Sequence, residues 1–342
     1  MFAFHWARRA CAGAGTIAFI AGCAAQNAPL AAPVPIGSGL PLTLGARAGG
    51  EYDGKVFVSD LVNGTVWICP VNFYDIRNGF TFPIGQLSGV SNPVQIAVDR
   101  EGTVYVANAQ TDAAGDGAVT IYPRGHTAPS RTLTTGLNTS LGVAVDSAGT
   151  VYVSNKLVAS VEVFPKGASA PSSTITANLK GPDGVAVDRA GDLFIADSSA
   201  NDVLELRHGS TTPQSLHLSG LLRPTGIAVG PHGEVYVANL MGGASFVAVY
   251  SPRDTKPSRT FRVRGPYGLF DQPLMLSLAR GDLLIVSAFG SLARMNGVWS
   301  GYGAVAAGYA SGQAKPLWLE YNQMFNYGEF VTYDDAVFQP AR

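Results

Sequence analysis

One short apolar string returns along this chain at nearly constant intervals, and that recurrence restricts the fold more than any other property. It reads VFVSD from Val56, VYVAN from Val104, VYVSN from Val151, LFIAD from Leu193, VYVAN from Val235, LLIVS from Leu283 and FVTYD from Phe330, 42 to 48 residues apart. A second string precedes it in step: PVQIAVD from Pro93, SLGVAVD from Ser140, PDGVAVD from Pro182, PTGIAVG from Pro224, PLMLSLA from Pro273 and PLWLEYN from Pro316, with a weaker copy, PLTLGAR, from Pro41. A third, VTIYP, VEVFP, VLELR or VAVYS, follows in the middle of the chain, and a turn such as RGHTAPSRTL from Arg124 leads to a fourth.

A period in the forties with four short strands per unit predicts an all-β chain, a β-propeller of four-stranded blades. Seven units predict seven blades, with six as the alternative if the end segments merge into one. The near-continuous apolar character of VYVAN suits strands covered on both faces, as a blade is by its two neighbours. With 41 glycines, 21 prolines and 14% charged residues, the chain favours turns over solvated helices. The last unit lacks room for a fourth strand, and residues 34–36 are the expected latch, since an unlatched ring leaves sheet edges open.

The units resemble the NHL repeat and its relatives among the gluconolactonase and streptogramin-lyase-like propellers, in which a PxGIAVDxxGxxYVAD core is typical; the likeness runs over about residues 41–335 and is strongest from Pro93 to Tyr250. In that family the Asp or Asn closing the second strand is structural, bonding backbone in the following turn, and Asp60, Asn108, Asn155, Asp197 and Asn239 take that place here. The related lactonases hold a metal at the mouth of the channel, just before the first strand. The matching positions here are Leu42, Val94 with Gln95, Leu141, Asp183, Thr225, Leu274 and Leu317. One carboxylate amid leucines is a poor cage for a hard cation, which takes about six or more oxygens.

The start of the chain is an address. His5, Arg8 and Arg9 precede an apolar stretch from Ala10 to Ile20 and the small pair Ala21 and Gly22, the order of an export signal. The string Ile20, Ala21, Gly22, Cys23 resembles the lipobox of bacterial lipoproteins, in which the signal is cut before the cysteine and the sulfur is lipidated. The resemblance implies residues 1–22 as signal peptide, Cys23 as lipidation site, residues 23–40 as tether and residues 41–342 as a single propeller domain. It also implies an exported protein held on a bacterial membrane by its lipid. Ala24 after the cysteine, where such families often use Asp for inner-membrane retention, points to the outer membrane, facing periplasm or cell surface.

Formal charge is −1, from 23 basic and 24 acidic residues, and loss of Arg8 and Arg9 leaves 21 against 24, or −3. Neither value, nor any long basic run, suggests a nucleic-acid partner. Cys69 stands alone in the body and reads as a buried small hydrophobe. The loop TDAAGDG from Thr111 reads as a polar hairpin turn, and His126, His208, His217 and His232 as scattered surface residues without paired spacing. Polar-tipped aromatics crowd the stretch from Trp299 to Tyr333. Candidate ligand-binding residues are therefore Asp183, Thr225, Gln95, Trp318 and Glu320, with no catalytic group, metal site or cofactor expected.

The expected function is a membrane-anchored, monomeric binding or interaction module for an unidentified protein or carbohydrate. The alternative is a metal-dependent hydrolase or lyase of the gluconolactonase or streptogramin-lyase type, for which calcium or magnesium is the expected ion; it rests on fold, a weak guide to activity.

Overall fold

The computed structural model describes residues 54–60, 64–71, 84–109, 117–241 and 244–262, and beyond these seven strands ending at residue 332. All lie in one compact unit, Glu51–Arg342. Cys23, residues 34–36, the copy from Pro41 and the loop at 111–116 fall outside the described residues.

Four consecutive units repeat one meander. The first has β4 (Pro93–Val98), β5 (Val104–Asn108), β6 (Ala118–Tyr122) and β7 (Arg131–Leu133) paired antiparallel in chain order. Next comes β8 (Ser140–Val145), β9 (Val151–Asn155), β10 (Ser160–Phe164) and β11 (Ser173–Ile175). The third is β12 (Pro182–Val187), β13 (Leu193–Asp197), β14 (Asp202–Leu206) and β15 (Gln214–Ser215). The fourth is β16 (Pro224–Val229), β17 (Val235–Asn239), β18 (Phe246–Tyr250) and β19 (Arg259–Phe261).

The turn joining first and second strands explains the recurring AVD. Asp99 Oδ1 accepts from the Glu101 and Thr103 amides at 2.9 and 2.8 Å, and Asp146 Oδ1 from Ala148 and Thr150 at 2.9 and 2.8 Å. Such a side chain mimics a backbone turn, and the glycine that follows supplies positive φ, +83° at Gly102 and +84° at Gly149. The Tyr105 hydroxyl donates to Asp99 Oδ2 at 3.0 Å. Burial, then the Asp146 charge, pushes the equivalent Tyr152 hydroxyl up to about 12.

Among the described residues, four successive blade interfaces each form a separate apolar core. On β5, Val104 and Val106 pack with Phe57, Leu87 and Ile96 toward the preceding sheet, while Tyr105 and Ala107 pack with Leu133, Val143 and Phe164 toward the next. The period of two is therefore real although both faces are apolar, which is why the strand reads as an unbroken run. Val106, Val153, Ile195 and Val237 are fully buried at the same place in successive sheets, each worth about 1.5–3 kcal/mol.

The chain ends make the remaining sheets. One consists of β1 (Gly54–Asp60), β2 (Thr65–Val71), β3 (Gly85–Leu87) and, beside β1, the distant β26 (Phe330–Thr332), with Val58 opposite Phe330. Another has β20 (Gln272–Ala279), β21 (Leu283–Phe289), β24 (Ala304–Tyr309) and β25 (Trp318–Tyr321), with a hairpin of β22 (Leu292–Met295) and β23 (Val298–Gly301) inserted between its second and third strands. The first strands adjoin in the cycle β4, β8, β12, β16, β20, β26 and back to β4.

The described residues thus hold six four-stranded sheets, the number of the alternative in which the end segments merge, where the sequence counts seven units. FVTYD, expected as the second strand of a seventh unit, is the first strand of the sheet it forms with β1, β2 and β3. PLWLEYN, expected as a first strand, holds β25, the fourth strand of its sheet. Both strings match the repeat in apolar pattern alone, and a short apolar strand serves equally at either position.

Candidate interaction face

Because every sheet is laid out alike, the ring has two distinct rims. On one, first strands begin and second strands end; on the other lie the Asp-Gly turns. The first rim is stitched by the Asn or Asp that closes each second strand. Asn108 Oδ1 accepts from the Ser91 amide at 2.9 Å, Asn155 Oδ1 from Asn138 at 3.0 Å and Asn239 Oδ1 from Leu222 at 2.8 Å. Asp197 Oδ2 accepts from Lys180 and Gly181 at 2.6 and 3.1 Å, and its Oδ1 from Ala200 at 2.8 Å. These buried residues are structural, as expected, but only Asp197 reaches the turn after its strand. The others hold the segment that enters their own first strand, about seventeen residues upstream.

Gln95 lies buried on β4 and joins three first strands. Its Oε1 accepts from the amides of Val143 on β8 and Val185 on β12 at 3.2 and 3.3 Å, and its Nε2 donates to the Val185 carbonyl at 3.1 Å. The next three first strands have Gly142, Gly184 and Gly226 at the same step of the repeat. A Cβ on Gly142 would collide with the Asp183 carbonyl and lie 2.7 Å from Ser154 Oγ and 2.9 Å from Gln95 Oε1. Glycine therefore makes room for the one amide.

Asp183, also buried, is the second residue of β12. Lys156 Nζ, from the loop after β9, donates to its two carboxylate oxygens at 2.7 and 2.8 Å and to Ser198 Oγ at 2.9 Å. Burial pushes the Asp183 carboxyl above its ordinary value, against the opposing pull of Lys156 and, farther off, Arg223. Thr225 is buried at the start of β16. Trp318 and Glu320 lie on β25 opposite Gly308 and Ala306, three strands away from β20, the first strand of their sheet. Structure thus places Gln95 and Asp183 on two first strands, β4 and β12, that the Gln95 side chain links past β8, both committed to internal bonds, and puts Trp318 and Glu320 on a fourth strand of another sheet. Among the described residues, no three or more His, Cys, Asp or Glu gather as a metal cluster.

What the rim exposes is apolar. Of five large hydrophobic side chains exposed among the described residues, four lie in its loops: Leu157 (74%), Val158 (53%), Leu222 (38%) and Met241 (58%). The fifth, Ile84, precedes the outer strand β3. His126, His208 and His232 are exposed on the opposite rim, and His217 is exposed on this one. The exposed apolar loops were not singled out from the sequence. Their signal was comparison between units: KLVA stands at 156–159 where the next unit has the turn residues SSAN at 198–201.

No protein-family model and no curated protein sequence matches this chain. Among solved structures, a chain of the nidogen/laminin complex is similar over 82% of this chain and 99% of its own, with a TM-score of 0.61 and 13% identity. The fold is a β-propeller. A chain of the hydrazine synthase of Kuenenia stuttgartiensis is similar over 70% of each chain, with a TM-score of 0.50 and 14% identity. At such identities the likeness to this propeller is one of fold. No helix among its described residues is long and apolar enough to cross a membrane.

Proposed function

We propose that this propeller is a protein-binding module, carried on a membrane by a lipid on Cys23, and that it binds through the rim bearing Leu157, Val158, Leu222 and Met241. The observation that carries the reading is the concentration of exposed large hydrophobics in the loops of that rim. Burial of such side chains drives association, and scattered singly they would signify nothing. A related fold occurs in the nidogen/laminin complex, an assembly between proteins. The carboxylate at the rim, Asp183, is held by Lys156 on both oxygens, an arrangement suited to joining blades.

Photoreactive side chains placed at Leu157 and Met241, and for comparison at His126 on the opposite rim, test the binding reading in cells of the source organism. Protein adducts from the first two positions alone support it; equal labelling from both rims, or none, refutes it. Membrane fractionation of Cys23→Ser tests the anchor, with release into the soluble fraction expected.

A further inference from the structure

Resting on the interaction-face reading, we infer that the partner presents an acidic segment with a bulky apolar anchor. The apolar loops belong to one continuous band. Lys156 reaches across to Asp183 and Ser198, so the loop carrying Leu157 and Val158 abuts the start of the third unit and its 198–201 loop. Asn201 Nδ2 donates to the Leu221 carbonyl at 3.2 Å, and its Oδ1 accepts from the Arg223 amide at 2.7 Å. The Leu240 amide then donates to the Arg223 carbonyl at 3.1 Å, which brings Met241 beside Leu222 and Arg223.

The ionisable side chains of the described loops in this band are all of one kind. Ionisable side chains in the described loops of this rim are Lys156, Lys180, His217, Arg223 and Arg262, with no Asp or Glu among them. Of the carboxylates at the adjoining strand ends, Asp183 is engaged by Lys156, Asp197 by three backbone amides, and Asp202 by the Val203 amide and the Ser215 hydroxyl. Lys180 and Arg223 are exposed, and Arg223 is set between its two bonded neighbours at a left-handed φ of +53°. The opposite rim carries both signs, with Asp188, Arg189 and Asp192 in one turn. An apolar strip edged by cations complements a segment whose hydrophobic side chain is flanked by Asp or Glu, and a basic segment would be repelled.

A random peptide library displayed on phage, panned against the immobilised full chain, tests this. The selected peptides are expected to be net acidic and to contain a large apolar residue. Synthetic copies should bind at least about tenfold more weakly to Lys180→Glu/Arg223→Glu and to Leu157→Ser/Met241→Ser. Their affinity should also fall as salt is raised. These substitutions lie at exposed side chains, and circular dichroism verifies that each variant is folded. Neutral or basic peptides, binding unmoved by either variant, or no selection at all overturns the inference. So does capture by phosphatidylglycerol vesicles in place of peptides, which assigns the band to lipid. Photoadducts at 157 and 241 to partner segments without acidic residues would sink the inference while leaving the interaction face standing.

Discussion

Lys156 donates to both carboxylate oxygens of Asp183, at 2.7 and 2.8 Å, across the boundary between two blades. The carboxylate is almost fully buried while the lysine side chain keeps a quarter of its exposure, so the two partners carry unequal desolvation. For Asp183, loss of water outweighs the neighbouring charge, and its carboxyl is raised.

Removing the lysine should therefore cost more than removing both charges. Lys156→Met leaves a buried carboxylate uncompensated and is expected to destabilise the fold by about 3 kcal/mol at neutral pH. Lys156→Met/Asp183→Asn should recover much of that loss in urea denaturation. A double variant no better than the single one would contradict the pairing.

The pH dependence has a definite sign. A carboxyl raised in the folded state binds its proton more tightly there than in the unfolded chain. Its contribution to stability is complete below the ordinary value of 3.8 and declines as pH climbs through the higher folded value. Relative to Asp183→Asn, the wild-type protein should lose stability over that climb. A gain would mean that Lys156 dominates.

Gln95 should behave as a structural staple. Gln95→Leu strands the Val143 and Val185 amides and the Val185 carbonyl in a buried position. A loss of about 2–4 kcal/mol is expected. The denaturation midpoint should fall at unchanged slope, and a loss below about 0.5 kcal/mol would remove the staple from the account.

Two glycines separate packing from backbone preference. Gly142→Ala meets the Asp183 carbonyl and should cost several times more than Gly125→Ala, where φ is +79° and nothing lies within 4 Å of the added carbon. The latter should cost about 1–3 kcal/mol through backbone strain alone. Equal thermal shifts would show that the first strands are not in close contact at Gly142.

Much of this was legible in the sequence, for a physical reason. A blade strand is buried on both faces and must be apolar throughout, so VYVAN and GVAVD announce themselves wherever they occur. Closure was legible only as an alternative to seven units, because β26 and β25 carry the same apolar pattern while occupying the first and fourth positions of their sheets. The candidate site was legible in part. Asp183 and Gln95 stood out as polar residues at an apolar step, but Lys156 arrives from the preceding unit and Val185 from ninety residues away, and no local pattern encodes such partners.

The choice between Asn and Asp at the rim follows from what the second oxygen or nitrogen meets. Asn239 Nδ2 donates to the Val237 carbonyl at 3.1 Å, whereas both Asp197 oxygens face amides. Asn239→Asp should therefore destabilise the fold by about 1–3 kcal/mol at neutral pH and recover as acid protonates the new group. Asp197→Asn is expected to be better tolerated, and calorimetry of the pair decides.

Everything said of the two rims depends on the chain closing its own ring, with Phe330 on β26 opposite Val58 on β1. Cysteines at those two positions, oxidised in the native full chain with the native cysteines replaced, test this most directly. The account predicts rapid formation of an intramolecular cross-link that raises the melting temperature and fails to form in urea. No cross-link, or one that joins separate chains, would contradict it.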